Sequence, residues 1–164
     1  MSKRVITLGT WNGNPIEWIV LKEDDFSALV VSKNVLFTKR FDSGRSNSGN
    51  KWDTCEIRRY LNDSFYNDVF SKEEQKRIIN CKILGEGFKD TKNNIFLLSA
   101  NEASDFMTKD ERKTNNIWSL RTIHYDGLQY TSHVNADGVV KDRSSECTYT
   151  DNSYWIRPAM YVKE

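Results

Sequence analysis

The 164-residue chain has few of the residue types that announce a chemistry. It holds two His and three Cys, and the cysteines (Cys55, Cys81 and Cys147) are odd in number and far apart. No CxxC pair and no Cys/His cluster at zinc spacing occurs, so a structural metal knot is not expected. The reading is three reduced, mostly buried thiols in a reducing compartment. Net charge is only +1, which provides no global field for nucleic acid or an anionic membrane. No apolar run of the ~20 residues needed to span a bilayer exists. The opening MSKRVITLGTW lacks the apolar stretch of a signal peptide, so a cytoplasmic protein is expected, or one exported without a cleaved signal. G-x-S-x-G, H-E-x-x-H, the phosphate loop and the D-x-D-x-D-G calcium loop are all missing. The expectation is no metal, no cofactor and no assigned catalytic residue.

Aromatic residues are abundant, at 12%, alongside 29% charged and 38% hydrophobic residues. A chain of this length and balance suits one soluble domain burying roughly 70% of its unfolded surface. The rings either fill that core or anchor contacts at the surface, and composition does not divide them.

Periodicity sets the order of elements. Arg4 to Leu8, Glu17 to Lys22 and Ser27 to Ser32 read as strands, joined by turns at Asn12-Gly13 and Asp24-Asp25 in an antiparallel meander. Residues 38–51 read as a polar surface loop, locally basic through Lys39, Arg40, Arg45 and Lys51. Asp53/Glu56, Ser71/Glu74 and Ser99/Glu102 each have capping-box spacing, which predicts helices over 54–66, 72–80 and 100–107. Cys81 to Leu84 and Ile95 to Leu98 read as two short strands around a loop. Trp118 to Tyr125 alternates: Trp118, Leu120, Thr122 and His124 on one face, Ser119, Arg121, Ile123 and Tyr125 on the other. Asp126-Gly127 and Asp137-Gly138 are hairpin turns bounding a strand from Leu128 to Ala136. Tyr154 to Val162 closes the chain, with Pro158 marking an edge, a bulge or a late start. Strands at both ends with helices between make the fold class α+β.

The order of marks is itself informative. W-D-x-x-x-I-R-x-x-L-N stands at Trp52, Asp53, Ile57, Arg58, Leu61 and Asn62. F-S-x-E-E follows at Phe70, Ser71, Glu73 and Glu74. F-L-L-S-x-x-E-A then occupies Phe96 to Ser99, Glu102 and Ala103. W-x-L-R-T covers Trp118 to Thr122, V-N-x-D-G-x-V covers Val134 to Val140, and I-R-P-A covers Ile156 to Ala159. The series resembles the bacterial and phage family called domain of unknown function 6273, over almost the whole chain. Its closing part is also similar to C-type-lectin-like folds, including the formylglycine-generating group and phage receptor-binding variable proteins. That similarity implies a C-type-lectin-like α+β architecture with a loop-rich recognition face. The calcium-binding triplets of true C-type lectins and the paired cysteines of formylglycine generation have no counterpart here, so neither activity is implied.

The residues leave three functional readings. The leading one is a non-enzymatic recognition module that presents loops 38–51, 85–94, 108–117 and 143–153 to a protein or glycan. Its candidate ligand-binding residues are Trp118, Arg121, His124, Tyr125, Trp155 and Arg157. The second is an enzyme with a shallow site near Trp118, Arg121, His124 and Arg157. The third is a structural or accessory part of a phage or injection particle. Arg121 and Arg157 each stand within three residues of a Trp, and could clamp a carboxylate, stack on an indole, or bond loop carbonyls. The last role is favoured, because buried Arg persists only when paired. The basic stretch around Phe41 and Trp52 has the look of a single-strand platform, but the near-zero net charge counts against nucleic acid.

Overall fold

The computed structural model describes the backbone of residues 2–43, 51–85, 88–126, 128–143 and 147–164, and their side chains except at 124–126, 128, 129 and 148. In chain order the strands are β1 (Val5–Trp11), β2 (Asn14–Glu23), β3 (Ser27–Ser32) and β4 (Phe37–Arg40). Then come α1 (Glu56–Tyr60), a π-helical turn (Leu61–Phe65), α2 (Tyr66–Val69) and α3 (Lys72–Gln75). Short strands β5 (Ile78–Ile79), β6 (Cys81–Ile83) and β7 (Thr91–Asn93) lead to α4 (Ala100–Phe106) and α5 (Lys109–Arg112). The rest is β8 (Trp118–Asp126), β9 (Leu128–Val134), β10 (Val140–Lys141), β11 (Thr148–Tyr149), β12 (Ser153–Ile156) and β13 (Ala159–Lys163). The class is α+β, with sheet dominant.

Sheet one runs β1-β2-β3-β13-β5, and sheet two runs β10-β9-β8-β12-β4 with β11 on β9. Two short crossings join them directly, from β3 to β4 through residues 33–36 and from β12 to β13 through Arg157-Pro158, while longer segments lead from β4 to β5 and from β5 to β8. The two crossings are bonded to each other: Ser32 N donates to Pro158 O at 2.9 Å, and Leu36 N to Ile156 O at 3.0 Å. Pro158, which has no amide to give, sits at the crossing where no ladder needs one.

Local chemistry explains most elements. Asn12 and Gly13 both take left-handed backbone (φ +50° and +79°), the pair that a two-residue hairpin turn demands. At the next turn the Asp24 carboxylate accepts from Phe26 N and Ser27 N at 2.8 and 2.9 Å. Gly138, at φ +87°, lies so near α5 that a Cβ would stand 2.5 Å from Lys109 O. Capping boxes form at Ser71/Glu74 and Ser99/Glu102 as expected, and a third forms at Thr108/Glu111.

Several expectations are corrected. Asp53 and Glu56 form no capping box; Cys55 is the N-cap, with no side-chain bond to the helix amides, and Glu56 instead pairs with Arg40 at 2.9 Å and Lys39 at 3.5 Å. The first helical run continues through the π turn to Val69. The second stops at Gln75, because Ile78 and Ile79 pair with Val162 and Tyr161 and complete the open side of β13. Residues 38–40 are strand β4, not loop, paired with β12. β6 pairs with β7 rather than with 95–98, and Phe96 bridges to Ala159. Alternation along β8 breaks at a register shift between Ser119 and Ile123, so Trp118, Ser119 and Leu120 are all buried. Gly127 of the first Asp-Gly turn, Arg45 of the basic loop, and Glu86 and Gly87 lie outside the described residues.

Aromatic rings fill the core. Trp18, Trp52, Trp118, Phe41, Phe65 and Phe96 are each at most 1% exposed, and Trp11, Phe37, Phe65 and Phe70 form a continuous cluster with centroids 5.1–6.1 Å apart. Among the described residues Val5, Phe26 and Leu84 are the exposed large hydrophobics. No helix is long and apolar enough to cross a membrane.

Glu74 links α3 to the bulge in β1, accepting from Gly9 N at 2.6 Å as well as from Ser71 N. Burial raises its carboxyl pKa, but the backbone bonds from Ser71 and Gly9 outweigh this and hold it below the usual 4.5. The tie is therefore complete above pH 4.5 and is lost as pH falls through the lowered value. A pH titration of the Gly9 amide resonance is expected to show a midpoint below 4.5 in the wild type and no such step in Glu74→Gln.

Candidate functional site

Two of the six candidate binding residues turn inward, which corrects the expectation that they meet a ligand. Arg157 is 1% exposed and Trp118 is 0% exposed. The Arg157 guanidinium donates to Ser32 O at 2.7 Å, Glu111 O at 2.9 Å and Lys33 O at 3.0 Å, and lies 5.0 Å from the Trp118 ring centroid. Trp118 Nε1 donates to Arg112 O at 2.9 Å. Burial lowers the Arg157 pKa to about 10, which leaves it protonated at neutral pH. Trp155 is half-buried on β12, paired in parallel with Trp118. His124 and Tyr125 lie on β8, but their side chains are outside the described residues. The basic stretch is not a stacking platform: Phe41 and Trp52 pack in the core with centroids 6.3 Å apart.

Arg121 is the candidate that reaches a cleft. Its Nη1 donates to Leu97 O at 2.7 Å and to the Glu102 carboxylate, and its plane lies 5.7 Å from the Phe96 ring centroid. The same Glu102 oxygen accepts from Ser99 N at 2.8 Å, so one carboxylate both caps α4 and fixes the guanidinium. Among the described residues Nη2 and Nε have no acceptor. The cleft encloses about 270 Å³. Leu84, Phe88 and Ile123 give it apolar walls, and Asn101, Thr122 and Asp142 add polar groups. Thr122 Oγ1 accepts from Ala100 N at 2.9 Å, and Asp142 accepts from Ser132 Oγ, so both are held in place.

Arg121 was legible in the sequence and the rest of the cleft was not. Leu84 and Phe88 flank a short hairpin, and Asp142 follows a two-residue strand; no periodicity marks them. Of the four predicted loops, the described residues give this cleft Phe88 of 85–94 and nothing from 38–51, 108–117 or 143–153. The Cys147 thiol stands 3.9 Å from Ser132 Oγ, which donates to Asp142 of the cleft wall. Burial pushes the Cys81 thiol up to about 11 and the Cys55 thiol higher still, so neither supplies a thiolate near pH 7. Among the described residues no group of three His, Cys, Asp or Glu could hold a metal ion. The arrangement can present fixed hydrogen-bond donors and acceptors beside apolar walls.

Residues 25–164 match the family described as Domain of unknown function (DUF6273). The chain belongs to that family. No curated protein and no solved structure matches it. The marks that carried the DUF6273 resemblance are largely clasps between elements. Asn62 Oδ1 accepts from Asn94 N and Ile95 N at 2.7 and 3.1 Å, while its Nδ2 donates to Arg58 O and Ile95 O at 2.9 and 2.8 Å. Arg58 reaches Asn93 Oδ1 at 2.8 Å and Lys92 O at 2.9 Å. Asn135 Oδ1 shapes the Asp137-Gly138 turn by accepting from Asp137 N and Val139 N, both at 3.0 Å.

Arg157→Leu leaves three carbonyls without donors, and is expected to lower unfolding free energy by about 3 kcal/mol in urea denaturation. Arg157→Lys should recover less than half of that, because one ammonium does not span the fork. Asn62→Ala, which strands two buried-side amides and two carbonyls, is expected to cost about 2–3 kcal/mol in the same assay.

Proposed function

We propose that this DUF6273 chain is a non-enzymatic recognition module whose site is the Arg121 cleft, taking a protein segment or a glycan. The observation that carries the reading is the half-engaged guanidinium. Nη1 is fixed by Leu97 O and Glu102, which leaves the Nε–Nη2 edge rigid beside apolar walls. A few placed polar groups among apolar side chains are what orient a ligand. For the architecture we favour a C-type-lectin-like arrangement. Strands from both chain ends share sheet one, with β13 between β3 and β5, and Arg4 pairs with Glu164. The three cysteines are not in disulfides, which suits a reducing compartment and cytoplasmic residence.

The test is a peptide and glycan array probed with wild type and with Asn101→Trp, which fills the cleft from the exposed face of α4. The wild type should retain a defined set of ligands. Asn101→Trp should weaken their binding at least about tenfold with Tm unchanged. Equal binding by the filled variant, or no retained ligand on either array, overturns the reading.

A further inference from the structure

A second cleft lies at the far end of the β1–β2 hairpin and shares no lining residue with the Arg121 cleft. It opens where the chain leaves sheet one for sheet two, and encloses about 320 Å³, near the lower limit of small-ligand sites. Trp11, Asn12 and Asn14 come from the hairpin end, and Asn34, Val35 and Leu36 from the crossing between β3 and β4. Lys33 N donates to Glu17 O at 2.9 Å and holds the crossing against β2. Ile16, at 4% exposure, forms an apolar floor.

The chemistry of these walls is specific. The charged group on the lining, Glu17, is matched by Lys33 Nζ at 3.0 Å, so no uncommitted cation waits for an anion. Three carboxamides, all on solvent-exposed residues, line the cleft. Among the described residues the side chains of Asn12 and Asn34 make no hydrogen bond, and that of Asn14 makes one long contact, 3.4 Å to Asn12 O. Trp11 Nε1 is buried with no acceptor. Elsewhere the fold gives an indole N–H a carbonyl, at 2.7 Å for Trp18 and 2.9 Å for Trp118. A buried donor left without an acceptor is destabilising. Trp52 Nε1 is also without an acceptor, but Trp52 is wholly enclosed, whereas Trp11 borders a cleft. Phe37 and Phe65, with centroids 5.1 and 5.8 Å from that of Trp11 and 5.8 Å from each other, pack against one side of the ring. The indole N–H is itself closed off from solvent, so a ligand meets it only when the ring tilts.

We propose that this cleft binds an uncharged, extended peptide segment. One peptide carbonyl accepts from Trp11 Nε1 after a small tilt of the ring. The carboxamides of Asn12, Asn14 and Asn34 pair with the next backbone amide groups, since each offers a donor and an acceptor. A small apolar side chain rests on Ile16, Val35 and Leu36. Part of the site stands before residue 25, where the family match begins, so the hairpin end adds a specificity of its own.

The experiment titrates the full 15N-labelled chain with a blocked dipeptide, N-acetyl-leucyl-alanine amide, and follows side-chain N–H resonances. The Trp11 indole and the carboxamides of Asn12, Asn14 and Asn34 should shift saturably. Trp11→Phe keeps the ring stack and removes the donor, and should weaken binding at least about fivefold; Asn34→Ala should weaken it independently. Asn101→Trp, in the other cleft, should leave this binding unchanged. No saturable shift up to about 10 mM, where even weak specific binding registers, overturns the proposal. So does equal binding by Trp11→Phe, or the same shifts produced by methyl glucoside or acetate.

Discussion

One guanidinium holds the two sheets in register. Arg157 stands at the point where the chain crosses from sheet two to sheet one, and two of its three acceptors, Ser32 O and Lys33 O, belong to the opposite crossing. The third, Glu111 O, anchors α5 beneath them. A buried charge is tolerable only when its donors are satisfied. Here main-chain carbonyl dipoles and the Trp118 ring do this, in place of a direct carboxylate partner. A hydrophobic residue at 157 would leave those carbonyls bare, and a lysine reaches too few of them. The position accordingly requires a planar fork, and both crossings depend on it.

The same device recurs at smaller scale. Asn62, inside the π-helical turn, ties that turn to the segment between β7 and Phe96. A π turn widens the helix by one residue, and here it places Asn62 where its carboxamide meets the main chain at 94 and 95. Glu102 joins the start of α4 to Arg121. Asn135 builds the turn that lets Gly138 pass close to α5. The hydrophobic core of aromatic rings provides most of the driving force for folding, and is non-directional. These polar clasps supply direction, selecting which strand meets which.

Local signals in the sequence were legible wherever the chemistry was local. The Asn12-Gly13 turn, the Asp24 turn and the boxes at Ser71 and Ser99 each depend on residues within four positions, and each formed as read. Errors arose where a distant partner decided. Ile78 and Ile79 continue a helical pattern until the open side of β13 claims them. Thr38 to Arg40 look like loop until β12 pairs with them. Trp118 and Arg157 carried a real signal, an aromatic beside a guanidinium, but sequence does not say which side of a strand faces water. The bulge in β8 then rotated the expected faces after Ser119. Arg121 was found because its type is distinctive, whereas Leu84, Phe88 and Trp11 meet their clefts only through tertiary packing.

A division of labour follows from where the polar groups are committed. Most side chains that mark the family already hold their hydrogen-bond partners inside the fold: Arg58 with Asn93, Asn62 with 94 and 95, Arg157 with the crossings. A side chain whose donors and acceptors are all engaged has little left to offer a ligand, because binding through it would first break a structural bond. On the recognition reading proposed above, a ligand would be met by groups with unused capacity. Arg121 is the intermediate case, with one nitrogen committed to structure and one edge spare. The carboxamides at 12 and 34 are the extreme case, on a rigid hairpin end and a short crossing. Neither carboxamide belongs to a clasp, so substitution at 12 or 34 leaves the Arg157 bonds between the crossings intact.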